Sequence, residues 1–166
     1  MDVFTRFLHH RPARRELKFH SLADVLCDVA ALSRGARTVG NWSLGQICMH
    51  LADTVNGSID GLNLRNHRWK RRLAGKPLLY VTFRFGIPRG FTVDPALTPP
   101  ATELDAAVSA LEMAIARYHT HVGPLRAHPL FGRLTRRQWD RMHCVHCAHH
   151  LSFAWPQAAA PPAPDG

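Results

Sequence analysis

The sequence predicts an all-α domain, a four-helix bundle with a long crossover connection between its second and third helices, and three observations carry that expectation. Four segments repeat apolar residues every three or four positions, each opens on a residue able to cap a helix, and no alternating run suggests more than a small sheet. The chain has 166 residues, the length of one domain, and its 46% hydrophobic and 20% charged residues exclude wholesale disorder.

The first segment begins at Ser21, has Asp24 at the capping-box position, and stripes Leu22, Val25, Leu26, Val29 and Leu32 along one side. The second begins at Ser43 with Gln46 three residues on, followed by Leu44, Ile47, Cys48, Leu51 and Val55. The third begins near Thr102 with Asp105 as its capping partner and carries Leu104, Val108, Leu111, Ile115, Tyr118 and Val122 until Gly123 and Pro124 stop it. The fourth begins at Thr135 with Gln138, places Trp139, Met142, His146, His150 and Phe153 on one face, and stops at Pro156. Between the second and third, Asn63 to Leu73 reads as a short basic helix. Lys76 to Pro100 reads as a connection rich in Gly, Pro and aromatics, of a length that ordinarily wraps a core or carries function. Residues 1–18 read as a basic arm, 19–156 as the helical bundle and 157–166 as a disordered Ala/Pro-rich tail.

A formal net charge of +9 invites an acidic partner. The basic residues concentrate in Arg11–Lys18, Arg65–Lys76 and Arg133–Arg141, with no aromatic ladder or Gly-Phe-type motif among them. Solvated helix faces are therefore favoured over a nucleic-acid surface. No apolar run approaches the roughly 18 residues of a membrane span, and the opening MDVFTRFLHHRPARR puts charges where a signal peptide is apolar. Cys27, Cys48, Cys144 and Cys147 do not form a disulfide framework. A cytoplasmic protein with reduced thiols and no membrane partner is expected.

The chemistry concentrates in M-H-C-V-H-C-A-H-H-L, Met142 to Leu151. At about 100° per residue His146 and His150 stack on one face of the fourth helix, beside Trp139 and Phe153. Two inward imidazoles must each find partners for buried nitrogens, and a metal ion satisfies both. Such a pair supplies two ligands and needs a third from another element. His50, in G-Q-I-C-M-H-L-A-D at the edge of the Leu44, Ile47 and Leu51 stripe, is the candidate; an ordinary hydrogen-bonded histidine at the core boundary is the alternative.

Gln46-Ile-Cys-Met-His50-Leu on an early helix, followed by His146-Cys-Ala-His149-His150 on the last, resembles the DinB-like superfamily of four-helix-bundle metalloproteins. There a second-helix histidine and the first and last histidines of an H-x-x-H-H run bind a divalent metal, which implies His50, His146 and His150 here. The likeness extends to an uncharacterised branch of that superfamily through Gly40-Asn-Trp-Ser-Leu-Gly-Gln46, His128-Pro-Leu-Phe-Gly132 and Trp139 to Phe153, over roughly residues 17 to 156. Relatives with known activity include transferases that use bacillithiol, mycothiol or glutathione, so the resemblance implies a low-molecular-weight-thiol-dependent S-transferase.

Three neutral imidazoles leave coordination positions open, as catalytic sites do. Zinc is the first expectation, and nickel, iron, manganese and copper also suit imidazole. His143 reads as a neighbour rather than a fourth ligand or proton shuttle, and His149 as a flanking contact. Gln46 and Asp53, one turn either side of His50, either orient it or face solvent. Cys144 and Cys147 sit mid-helix and read as packed thiols, with a redox-sensitive group as the weaker alternative. Absence of H-E-x-x-H, G-x-S-x-G, phosphate-loop and dinucleotide motifs disfavours metalloprotease, esterase, nucleotide hydrolase and dehydrogenase. Two function classes follow. One is a metal-dependent enzyme, transferring a thiol or hydrolysing a small-molecule substrate; the other is a non-catalytic metal-binding or stress-response module. A cavity lined by the Phe83–Phe91 loop and His128–Phe131 would favour the enzyme, and spare helix faces are compatible with a homodimer.

Overall fold

Ser21 and Asp24 cap each other's backbone as expected, and helix α1 runs over Leu22–Ser33 with Leu22, Val25, Val29 and Leu32 buried. The computed structural model from which this is drawn describes residues 14–62, 68–88 and 98–157. The arm up to residue 13, positions 63–67 of the expected basic helix, 89–97 of the long connection and the tail from 158 lie outside the described residues.

After α1 the chain turns at Gly35, whose φ of 139° suits a residue without a Cβ, into strand β1, Ala36–Thr38. Helix α2, Leu44–Asp60, starts on the expected reciprocal cap between Ser43 and Gln46 and ends at Gly61. Helix α3 spans Arg68–Phe85 and helix α4 Leu104–Thr120. Helix α5, Arg136–Leu151, opens on the expected Thr135–Gln138 cap and is followed by strand β2, Ala154–Pro156. The strands pair antiparallel with Arg37 opposite Trp155.

Three expectations change. The described architecture is mainly helical but adds a small sheet, and it has five helices where a four-helix bundle was expected. The extra helix is α3, which runs well past the expected end at Leu73 and takes in Phe83 and Phe85 from the region read as a loop. Pro77 removes one backbone donor from its ladder, yet Leu79 and Thr82 are buried and Arg141 donates to the Phe83 carbonyl at 2.7 Å, so tertiary packing outweighs local sequence. Thr102 does not cap α4: its hydroxyl donates to the Pro100 carbonyl, and Glu103 stands at the cap without a side-chain bond. Finally, α5 ends at Leu151 rather than Pro156, because Phe153 and the residues after it turn to pair with β1; Val39 N donates to Phe153 O at 2.8 Å.

The core is built from Leu32, Leu51, Leu111, Tyr118 and Leu151, all fully buried. The most extensive helix pairing is α2 on α4. Gly45 permits it, since a Cβ at that position would collide with the Thr102 carbonyl oxygen. Arg117 closes the far end with two short bonds to Asp60.

Several basic residues are engaged by groups of the fold itself. Arg15 makes a two-pronged bond to Asp28 at 2.8 and 2.7 Å and also reaches the Leu151 carbonyl. Arg136 lies over the Tyr118 ring and donates to the Tyr118 and His121 carbonyls, while Arg141 lies over Phe83. These cations hold structure together rather than presenting a free basic face. No helix among the described residues is long and apolar enough to cross a membrane.

Candidate metal centre

The Ser43–Gln46 cap sets the phase of α2. With Leu44, Ile47, Cys48 and Leu51 directed into the core, His50 is carried inside as well, at 2% exposure. On α5 the Thr135 cap and the buried Trp139, Met142 and Cys147 set the phase that turns His150 inward, with His146 beside it, half-buried. The C-terminal end of α5 is tied from three sides. Arg15 bonds the Leu151 and Ser152 carbonyls, Val39 bonds that of Phe153, and the Ser152 hydroxyl bonds that of His149. His150 therefore projects from a fixed helix terminus.

Three nitrogens converge where the two helices meet. His146 Nε2 lies 3.4 Å from His50 Nε2 and 3.0 Å from His150 Nε2, and the potential ligand atoms of the three residues all lie within 4.8 Å of one another. Tetrahedral binding with metal–nitrogen bonds of about 2.0–2.1 Å spaces ligand nitrogens about 3.4 Å apart, close to the two spacings that His146 makes, with the third pair within 4.8 Å. Burial and the neighbouring imidazoles hold His146 well below the ordinary histidine pKa and push His150 down to about 2. Both rings are neutral at pH 7 and keep lone pairs for coordination. The donor set and its spacing fit an imidazole-bound divalent ion. Among the described residues no other group of three histidines, cysteines or carboxylates is so disposed.

Two further residues complete the surroundings. Trp42, just before the α2 cap, stacks on His150 with ring centres 5.4 Å apart and planes 7° from parallel, and tilts over His50 at 5.0 Å. Thr54, one turn after His50, places its Oγ1 3.4 Å from His146 Nδ1. Sequence reading assigned a role to neither. Thr54 was findable, since its i+4 spacing from His50 puts it on the same face; Trp42 lies outside any helical period and carried no such signal.

Other candidates go elsewhere. Gln46 is spent on the cap and on the Pro99 carbonyl, to which its Nε2 donates at 3.0 Å, so it does not orient His50. Asp53 is exposed. His143 is buried between rings, stacked on Trp139 at 5.2 Å and edge-on to Tyr118 at 4.8 Å, away from the nitrogen cluster. It is the expected neighbour. His149 flanks the site: its ring meets His150 edge-on, and its Nδ1 lies 3.1 Å from the Ile87 carbonyl and 3.4 Å from Arg14. Burial pushes the Cys48 thiol up to about 12 and Cys144 to about 11, and raises Cys147 further, so all three are protonated packing groups.

Of the groups whose lining of a cavity would have favoured an enzyme, positions 89–91 lie outside the described residues, Ile87 meets the flanking His149, and the others pack elsewhere. His128 stacks on Phe131 at 4.4 Å and tilts against Trp139, and Phe83 meets Arg141. Trp139 precedes His146 by two turns, about 10 Å along the helix, so these groups buttress the first half of α5.

Comparison with curated proteins and with solved structures finds no match. The family model described as "protein of unknown function (DUF1569)" matches residues 12–157, a span that contains every described helix, both strands and all three clustered histidines, and the chain belongs to that family.

Proposed function

We propose that His50, His146 and His150 hold a divalent metal ion, with zinc first among the cations that imidazole suits. On this reading the protein is a metal-dependent enzyme of the cytoplasm acting on a small-molecule substrate, and a low-molecular-weight-thiol-dependent S-transferase is the activity we place first. The observation that carries it is the convergence of three Nε2 atoms, contributed by two helices, at the spacing of one coordination sphere. The likeness of the histidine pattern to DinB-like metalloproteins points the same way, and the free cysteines fit a reducing compartment.

Three donors leave at least one position of a four-coordinate ion for an exchangeable ligand. Bound there, such a cation supplies Lewis acidity, which lowers the pKa of a thiol from about 8.5, or that of water toward about 7. The chain's own contribution is placement and exclusion. Trp42 covers one face of His150 and screens it from water, Thr54 backs His146, and the ties on Leu151, Ser152 and Phe153 keep the α5 terminus from yielding. Hydrolysis is the alternative within the same class. A non-catalytic metal-binding module is the alternative outside it, favoured by the depth of His50 and His150 at 2% and 8% exposure.

The test begins with metal content, by elemental mass spectrometry of protein prepared without tag or chelator. About one equivalent is expected in the wild type and none in His50→Ala or His146→Ala, with thiol-dependent turnover of an electrophile lost alongside. A folded wild type that carries and takes up no divalent ion would overturn the reading. Full metal loading without turnover of any thiol, electrophile or ester would favour the module.

A further inference from the structure

His50 and Thr54 share a face of α2, one turn apart, and meet opposite edges of one ring. His50 Nε2 lies 3.4 Å from His146 Nε2, and Thr54 Oγ1 lies 3.4 Å from His146 Nδ1. The Thr54 hydroxyl carries a single proton, and the Leu51 carbonyl 3.0 Å away, which can only accept, takes it in a bond threonine commonly makes within a helix, shorter than the 3.4 Å contact to His146. Toward the imidazole the Thr54 oxygen is therefore an acceptor, and its partner Nδ1 must carry the ring hydrogen. In a neutral ring that leaves Nε2 as a bare lone pair, the atom that faces Nε2 of His150 at 3.0 Å. Thr54 is itself buried, so bulk water does not compete freely for the contact.

We propose that Thr54 is a positioning residue that fixes His146 in the Nδ1–H tautomer and so presents its Nε2 to a cation. The assignment of the tautomer stands alone; the presentation to a cation rests on reading the cluster as a metal centre. Without the acceptor, His146 distributes its hydrogen between both nitrogens, and the fraction carrying it on Nε2 cannot ligate. Groups that orient a ligand in this way are typically worth about 10–100-fold in metal affinity.

Long-range proton–nitrogen correlation spectra of the metal-free, nitrogen-15-labelled protein read the tautomer directly, with His146 assigned by its loss in His146→Gln. Nδ1–H is expected in the wild type and in Thr54→Ser, and a mixture in Thr54→Val, which keeps the shape but lacks the acceptor. Cobalt(II) titration followed by visible absorption provides the second reading: Thr54→Val weaker by about tenfold or more, and Thr54→Ser close to wild type. A wild-type His146 with its hydrogen on Nε2 overturns the proposal, and needs no variant to fold. So does a Thr54→Val protein with wild-type tautomer and wild-type cobalt affinity. A wild type that binds no cobalt(II) overturns the presentation to a cation, while the spectra still decide the tautomer.

Discussion

The two halves of α5 use the same residue in opposite ways. In the first half His143 is an aromatic core ring, stacked on Trp139 and edge-on to Tyr118, and its Nε2 meets no hydrogen-bond partner among the described residues. In the second half His146 and His150 direct nitrogen toward nitrogen, and His50 arrives from α2 to complete the group. Burial is similar for His143 and His150, at 2% and 8%, so burial does not distinguish a ligand from a filler. What distinguishes them is what the rings meet: the aromatic rings of Trp139 and Tyr118 in one case, other imidazole nitrogens in the other.

The contrast breaks most sharply under alanine. His146→Ala or His50→Ala removes a donor outright and is expected to lower metal affinity by more than the roughly 100-fold that an orienting partner is worth, as read by competition with a chromophoric chelator. His143→Ala is expected to leave metal affinity unchanged while costing about 3 kcal/mol of stability for the cavity it opens, measured by denaturant unfolding. Equal loss of metal in His143→Ala and His146→Ala would erase the distinction.

Acid sharpens it next. Burial holds His143 at about 3 and His128 at about 4, both below the 6.5 of a solvated histidine in the unfolded chain. The unfolded chain thus takes up more protons in this range, so the stability owed to the neutral rings is fully present above about pH 6.5 and drains as pH falls to about 4 for His128 and about 3 for His143. Urea unfolding of the metal-free protein should lose a few kcal/mol across that window. His143→Phe keeps the ring and removes the titrating nitrogens, so its pH dependence should be shallower, with stability at pH 7 no lower than wild type. A slope identical to wild type would mean that His143 is not buried neutral.

How much of this was legible in sequence follows from the physics of each signal. The caps at Ser21, Ser43 and Thr135 were readable because a capping box is a contact between residues three apart. The α4 cap failed because Thr102 had a competing carbonyl within reach, at Pro100. The second half of helix α3, beyond the basic stretch ending at Leu73, hid behind Pro77 and a run of aromatics, and the sheet behind strands of three residues far apart in the chain. At the site, His50, His146 and His150 were nameable from spacing and resemblance. Trp42 and the His146–Thr54 contact were not, since both depend on how α2 docks on α5.

Smaller effects test the edges. Tyr118→Phe removes a 2.7 Å hydrogen bond to Asp140 and should cost about 1.5–3 kcal/mol in unfolding free energy with no change in metal affinity. Asp53→Asn, at an exposed position, should change neither; a marked loss of metal there would return Asp53 to the role of orienting His50.

Zinc K-edge X-ray absorption of the zinc-loaded protein tests the division within α5 most directly. Three imidazole nitrogens at about 2.0–2.1 Å and no sulfur are expected. A sulfur scatterer at about 2.3 Å, which would bring in Cys48 or Cys147, or fewer than three imidazoles, would contradict it.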